Sequence, residues 1–345
     1  MVALDSRKGR ILQAIINEYV HTAEPVGSDL LVLRYDFGCK SATLRNEMAE
    51  MSERGYLRQP HTSAGRIPSN LGYRYYVDCL MLPNLPDAAR RKARAAEKES
   101  RTEVEEILQL TCRMLADMTH YPSVATPPLL KATTMHRLYL TPASPRHMLL
   151  VMLLSTGHIE HKLLEIETIP SNDTLQTVTN YLQQRYENLE LEMISSGPMD
   201  NIPSEMMNYR PLLQTVHHEM TAALRSLFDN RLFLEGANHI LRLREFQDVL
   251  RMDQLLSLLE QRNILFQALC RASLGQDVTV VIGDESHVEQ MQECSLVTSR
   301  YHIRERTAGY IGVVGPTRMN YDRAVAAVSL MAGSLSTMLT RASLS

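Results

Sequence analysis

The residues best suited to chemistry in this chain lie between Lys40 and Tyr76. Arg45 and Asn46 are adjacent, and their side chains match the major-groove edges of guanine and adenine respectively. Thr43 can meet a thymine methyl or a phosphate. Lys40, Ser41 and Arg58 suit phosphate oxygens, contacts that set register without reading sequence. His61, Thr62, Ser63 and Arg66 follow in a polar run able to reach the DNA backbone or the minor groove. The segment holds 6 cations (Lys40, Arg45, Arg54, Arg58, Arg66, Arg74) against 3 acids (Glu47, Glu50, Glu53), a local net of +3. A protein-contact surface is the competing reading, because a fold does not dictate its use.

These residues need a helix and a hairpin to position them. Ile11, Leu12, Ile15, Ile16 and Tyr19 recur at helical spacing and predict a first helix from about Ser6 to His21. Ser28 is placed to cap a second helix ending near Tyr35, after the loop Glu24–Ser28. Gly38 is the expected positive-φ residue of the next connection. Ser41 is placed to cap a third helix, Ala42 to Arg54, which Gly55 terminates. On that helix Leu44, Met48 and Met51 share the inward face and leave Thr43, Arg45, Asn46 and Ala49 available. Two short strands, Tyr56–Gln59 and Arg66–Pro68, flank the polar loop His61–Gly65. Two helices, a turn and a capped third helix form a helix-turn-helix, and a hairpin directly after it is a wing.

A proline-marked hinge, Pro83 to Pro86, precedes a charged helix expected to run from Asp87 to Met118. Its basic stretch Arg90–Arg94 reads as a solvated face, or as a further phosphate contact. Strand patterns follow at Met135–Leu140, Arg146–Leu154 and Ile159–Ile166, then a helix capped by Asp173 with Leu175, Val178, Leu182 and Leu189 in its stripe. Residues from about Glu190 to Gly275 read as mainly helical. Strands return at Val278–Ile282 and Tyr310–Val314, and a helix from Asn320 to Leu339 closes the chain.

Composition bounds the class. The chain has 345 residues, of which 44% are hydrophobic and 22% charged, enough for two or three domains with real cores. Its longest apolar run, Met148–Leu154, is far shorter than the ~20 residues of a membrane helix, and the N-terminus has no signal-peptide pattern. A soluble, cytoplasmic protein without a membrane partner is expected. The 5 cysteines stand apart with no CxxC, so neither disulfides nor a zinc site is indicated. No cofactor is expected. Net charge is -3, but residues 1–80 carry 10 cations and 9 acids while residues 81–345 carry 26 and 30. A general polycation is excluded; a local basic patch is not.

Other groupings read as structural. Gly309, Gly312 and Gly315 lack the GxGxxG spacing of a dinucleotide loop and fit a strand approached closely by its neighbours. His217, His218 and Glu219 are adjacent, and successive helical residues diverge by about 100°, so a solvent-facing pair is expected rather than a metal site. The 19 methionines fall mainly on helical stripes as core filler, with a chaperone-binding surface as the other use. No catalytic constellation is present, so no enzyme is expected.

Several motifs stand in one order: Glu24–Ser28 (EPVGS), Ala42–Met48 (ATLRNEM), Gly55–Leu57, His61–Pro68 (HTSAGRIP) and Gly72–Asp78 (GYRYYVD). In this the first 80 residues resemble the bacterial heat-inducible transcription repressor HrcA family, and a looser likeness continues through Phe233–Gly236, Val281–Gly283 and Gly309–Thr317. Cys39-Lys40 and Leu44 depart mildly from the common pattern. The resemblance implies a multidomain α+β protein: an N-terminal winged helix-turn-helix at 1–82, a linker and long connecting helix at 83–125, and a GAF-like α/β domain at 126–190 and 276–345, interrupted by a mainly helical dimerisation insertion at 191–275. It also implies repression of chaperone operons (groESL and dnaK type) through the inverted repeat CIRCE, relief by heat stress, and support by the GroEL chaperonin. A homodimer binding double-stranded operator DNA follows, because two heads related by symmetry read two half-sites. The alternative is a metabolite-responsive regulator with a ligand in the GAF-like domain, which an apolar pocket with convergent polar groups would favour.

Overall fold

Apolar residues spaced three and four apart build the first helices, because that spacing lines one face of an α-helix. The computed structural model describes residues 4–61, 64–97, 103–129, 132–197, 199, 202–228, 232–242, 249–272 and 277–343. Helix α1 spans Ser6–Thr22, with Asp5 as its N-cap accepting from the Lys8 backbone N–H at 2.9 Å. Ile11, Leu12, Ile15 and Ile16 are buried beneath it. Helices α2 (Ser28–Arg34) and α3 (Ser41–Glu53) follow, and Leu44, Met48 and Met51 point inward from α3. Gly38 and Gly55 adopt the positive φ expected of them, +65° and +82°.

Capping differs from expectation at both helices. Gly27 and Lys40 hold the extended N-cap conformations, so Ser28 and Ser41 are already helical and cannot cap. Their hydroxyls bond one another at 2.9 Å and so tie α2 to the start of α3. Strands β1 (Leu57–Arg58) and β2 (Ile67–Pro68) then pair antiparallel, Leu57 opposite Pro68 and Arg58 opposite Ile67. Helix α4 (Asn70–Cys79) is capped by the Ser69 hydroxyl, which accepts from the Gly72 N–H at 3.0 Å.

The expected single helix from Asp87 to Met118 is two, α5 (Asp87–Ala96) and α6 (Val104–Thr119). Lys92 Nζ lies 3.8 Å from Asp117 Oδ2, whereas an unbroken helix would hold those residues about 37 Å apart. The chain therefore doubles back between them, and both helices pack on the last helix, α12 (Tyr321–Ala342). By length and composition α12 could cross a bilayer, but Ala324, Val328, Met331, Leu335 and Leu339 are buried core residues.

Strand β3 (Ser123–Ala125) leads into a separate three-stranded meander: β4 (Met135–Ser144), β5 (His147–Leu154) and β6 (Ile159–Glu165). Its inner face packs on α7 (Asn172–Tyr186), capped by Ser171 rather than by Asp173, and on α8 (Leu191–Ser196) and α9 (Arg210–Phe228). Leu189 lies outside α7 and is exposed. Strand β7 (Phe233–Glu235) then pairs with β3, and helices α10 (Val249–Glu260) and α11 (Arg262–Ala272) precede β8 (Val278–Ile282), β9 (Cys294–Ile303) and β10 (Arg306–Pro316). These make a five-stranded antiparallel sheet in the order β7-β3-β10-β9-β8.

The strands do not divide as the boundaries 126–190 and 191–275 suppose. The chain leaves the five-stranded sheet after Ala125 and rejoins it at Phe233, so β4 to α9 form the excursion, with a core of their own. Helices α10 and α11 instead cover one face of the large sheet through Leu255, Leu258, Leu265 and Leu269. The other face carries α6 and α12, whose core is continuous with that of α1 to α4. Gly309, Gly312 and Gly315 sit in β10; a Cβ on Gly309 would press on Thr126 and Tyr301, and one on Gly315 on Met319 and Tyr121. Close approach, not a phosphate loop, explains them.

Candidate nucleic-acid interface

Helix α3 presents its polar residues outward because Leu44, Met48 and Met51 fix its opposite face in the core. Thr43, Arg45 and Asn46 are all exposed on it, and Lys40 is exposed at its N-cap. Ser41 is only half exposed, since its hydroxyl is engaged: it bonds Ser28 Oγ and donates to Asp29 Oδ1. That bond makes Ser41 a clasp between α2 and α3 as well as a candidate phosphate contact.

The hairpin beside α3 is closed by short-range bonds. Gln59 Nε2 donates to the Ala64 carbonyl at 2.9 Å, and Ala64 N–H donates to the His61 carbonyl at 2.9 Å. Arg66 and Val26 exchange both backbone bonds, each at 2.9 Å, which pins the returning strand to the loop before α2. Gly65 is required there: a Cβ would collide with the Val26 carbonyl oxygen. Arg58 and His61 are exposed. Thr62 and Ser63 lie outside the described residues. Between hairpin and helices runs a polar groove of about 450 Å³, lined by residues including Ser28, Asp29, Arg45, Gln59 and Arg66. Arg66 Nε is buried without a hydrogen-bond partner among the described residues.

The electrostatics of α3 depend on a residue that sequence reasoning overlooked. Lys8, on α1, reaches Glu47 and Glu50 at 3.1 Å each and Asp5 at 3.0 Å. Hydrogen bonds to Asp5, Glu47 and Glu50 raise its pKa, so it stays cationic. The same Asp5 is held below the usual carboxylate range, chiefly by the Lys8 backbone N–H. Two acids of α3, Glu47 beside Asn46 in sequence and Glu50 one turn after it, are thus neutralised. The signal was present in sequence: Glu47 and Glu50, three apart, share a helix flank that needs a cation.

Not every counted cation serves this face. Lys40, Arg45 and Arg58 make no ion pair among the described residues, whereas Arg54 is bound to Glu50 and Arg74 to Glu285 and Asp78. The count of 6 cations therefore overstates those open to a polyanion, although the net of +3 stands because Glu47 and Glu50 are paired as well.

The remaining chemical candidates are structural. His217 is half-buried rather than solvent-facing: Nε2 lies 3.1 Å from the Gly197 carbonyl and Nδ1 lies 2.8 Å from the Tyr186 hydroxyl. Desolvation lowers its pKa. His218 faces solvent and Glu219 pairs with Lys162 at 3.7 Å. Burial pushes the thiols of Cys112 and Cys294 up to about 12, so neither is a ready nucleophile. Met48, Met51, Met148, Met152 and Met331 are buried, while Met193 and Met207 are exposed.

The outward polar face of α3 thus stands beside a closed hairpin. The family model for the HrcA protein C terminal domain matches residues 105–325. The heat-inducible transcription repressor HrcA of Desulforamulus reducens is 37% identical over 339 residues, covering 98% of each chain. Its counterpart from Symbiobacterium thermophilum is 36% identical over 337 residues, covering 97% of this chain and 98% of that one. One solved structure, described only as a hypothetical protein, superposes with a TM-score of 0.62 at 20% identity over 98% of both chains, a likeness of fold alone.

The class is therefore that of transcriptional repressors, which act on DNA. The chain belongs to the HrcA family, the heat-inducible transcription repressors.

Proposed function

We propose that residues 1–82 form a winged helix-turn-helix whose α3 enters the major groove of an operator. Arg45 and Asn46 read bases; Lys40, Ser41, Thr43 and Arg58 hold phosphates; His61, Thr62, Ser63 and Arg66 bring the wing against the backbone or minor groove. One observation carries this reading above the others: Lys8 neutralises the acids on the flank of α3, while the cations beside Asn46 carry no ion pair among the described residues. A surface built for an acidic protein would share the charge but has no use for the adjacent Arg–Asn pair.

The operator is an inverted repeat read by a homodimer. Supporting the dimer is the outer face of the β4–β5–β6 sheet, where Tyr139, Ile159 and Leu163 are exposed beside half-buried Leu149, Val151 and Leu153. Soluble proteins rarely leave such a contiguous apolar patch open. We assign dimerisation to this excursion, residues 135–228, in place of 191–275 alone. Leu163→Asp with Ile159→Asp should then yield monomers by sedimentation; a species that stays dimeric places the interface elsewhere.

The likeness to the repressors extends the proposal to its targets: chaperone operons carrying CIRCE, occupied in the cytoplasm at ordinary temperature, released on heating, with GroEL supporting the active form. The test is footprinting of the purified protein on the chaperonin promoter of its own genome, with and without GroEL. Protection of an inverted repeat, strengthened by GroEL, is expected. Uniform protection that ignores sequence contradicts it.

A further inference from the structure

The helix after the hairpin, α4, is clamped to the body of the protein along a single stripe. Asn70, Tyr73, Arg74 and Val77 stand at helical spacings of three and four, so they share one face. Arg74 forks onto Glu285: Nε donates to Oε1 at 2.8 Å and Nη2 donates to Oε2. Nη2 also donates to the Val280 carbonyl at 2.6 Å, and Nη1 donates to Asp78 at 3.1 Å. A guanidinium held in this planar, multiply bonded way is fixed in direction, as an ammonium would not be.

The body side is shaped to receive it. Glu285 Oε2 accepts from the Ile282 N–H at 2.9 Å, so the acid is held by its own turn before α4 arrives. Gly283 in that turn has φ +51°, and a Cβ there would sit 2.6 Å from Asn70 Nδ2. Asn70 Nδ2 donates to Asp284 at 3.1 Å. A second anchor lies at the start of α12, where Asp322 accepts from the Tyr76 hydroxyl and, at 2.8 Å, from the Leu82 N–H. The buried rings of Tyr73 and Tyr321 pack against each other, tilted by 53° with centroids 5.7 Å apart. A third tie joins Arg318 to the Val20 carbonyl at the end of α1. Thr43, Arg45 and Asn46 take no part in any of these bonds.

Three separated attachment points fix both the position and the rotation of a rigid module. We infer that the Arg74–Glu285 clamp sets the orientation of the DNA-reading head on the body, and thereby determines the half-site spacing that a dimer accepts. The inference rests on the DNA-reading, dimeric assignment above. Arg74, counted from sequence among the DNA-facing cations, becomes a positioning residue instead. Each base pair added between half-sites displaces one by about 3.4 Å and turns it by roughly 35°, which a clamped head cannot follow. With the clamp cut, the ties at Asp322 and Arg318 remain, but the head can pivot about them and so follow the half-site in part.

The test uses the full-length protein and an inverted-repeat duplex selected by the wild type from a random library. Its half-sites are then moved apart by one and two base pairs, and a single half-site duplex serves as control. For the wild type the two-base-pair insertion should weaken binding by about tenfold or more, comparable to a mismatched base pair. Arg74→Met should reduce that penalty to less than about threefold, with half-site binding and its salt dependence unchanged, since no phosphate contact is lost. Glu285→Ala, made from the body side, should do the same and guards against a local folding defect in α4. Spacer penalties that stay at the wild-type level in both variants overturn the inference. A loss of half-site affinity in Arg74→Met that Glu285→Ala does not share would return Arg74 to the DNA surface. A wild type without any preference between the half-site and random duplex would remove the DNA-reading assignment, and this inference with it.

Discussion

The proposed reading face and the docking face of the N-terminal module carry similar residues in opposite states. On α3, Lys40 and Arg45 stand in solvent without an ion pair among the described residues, beside Asn46. On α4, Arg74 has every side-chain nitrogen bonded to a carboxylate or carbonyl, and Tyr76 is bonded to Asp322. The faces differ because of what lies opposite. The docking face meets preformed acids at 284, 285 and 322, whereas the acids of α3 itself are drawn aside by Lys8 and Arg54. A count of charges along the chain cannot separate these cases. Only pairing decides which cations remain for a polyanion, because a paired guanidinium gives up its partner at a cost comparable to what a phosphate returns.

The largest effect should come from removing the core beneath both faces. Leu44 is fully buried under α3, so Leu44→Ala should destabilise the module by roughly 2–5 kcal/mol. It should abolish DNA binding and loosen docking together. A denaturant titration that finds the variant as stable as wild type would mean α3 is not seated as described.

Lys40→Ala and Arg58→Ala separate the faces more finely. Each should weaken binding to operator and random duplex alike and lower the slope of log affinity against log salt by about 1. Spacer preference should not change. A variant that altered preference between sequences but left the salt slope intact would make that residue a base reader.

The smallest effect is a control remote from both faces. His217 holds its folded pKa below the ordinary histidine value, chiefly through desolvation. The unfolded chain therefore binds the extra proton first. The stability tied to neutral His217 is fully present above about pH 6.5 and is lost as pH falls through the folded pKa. Acidifying from pH 7.5 to 5.5 should lower the unfolding midpoint of wild type more than that of His217→Gln. The ratio of operator to random binding should shift equally in both proteins. A midpoint difference that stays constant with pH would show that His217 does not titrate with folding.

Local patterns in the sequence foretold much of this module. The stripe Ile11–Leu12–Ile15–Ile16 marks α1, Leu44–Met48–Met51 orients α3, and Gly55 ends it, because each signal lies within one element. Long-range pairings escaped. Strand β7 has three residues and no alternation to read, yet its pairing with β3 decides where the excursion begins and ends. The break between α5 and α6 was hidden because both flanks have helical patterns, and the Lys92–Asp117 proximity shows that the two helices lie side by side. At the site, exposure of Thr43, Arg45 and Asn46 was legible from periodicity. The diversion of Arg74 to Glu285 was not, since more than 200 residues separate them.

The most direct test of the central claim compares wild type, Arg45→Ala and Asn46→Ala on the selected operator and on random duplex at one salt concentration. Each substitution should cost roughly 1–3 kcal/mol of discrimination while binding to random duplex by Asn46→Ala stays at the wild-type level. Ratios of operator to random affinity that match wild type in both variants would contradict the assignment of α3 as the reading helix.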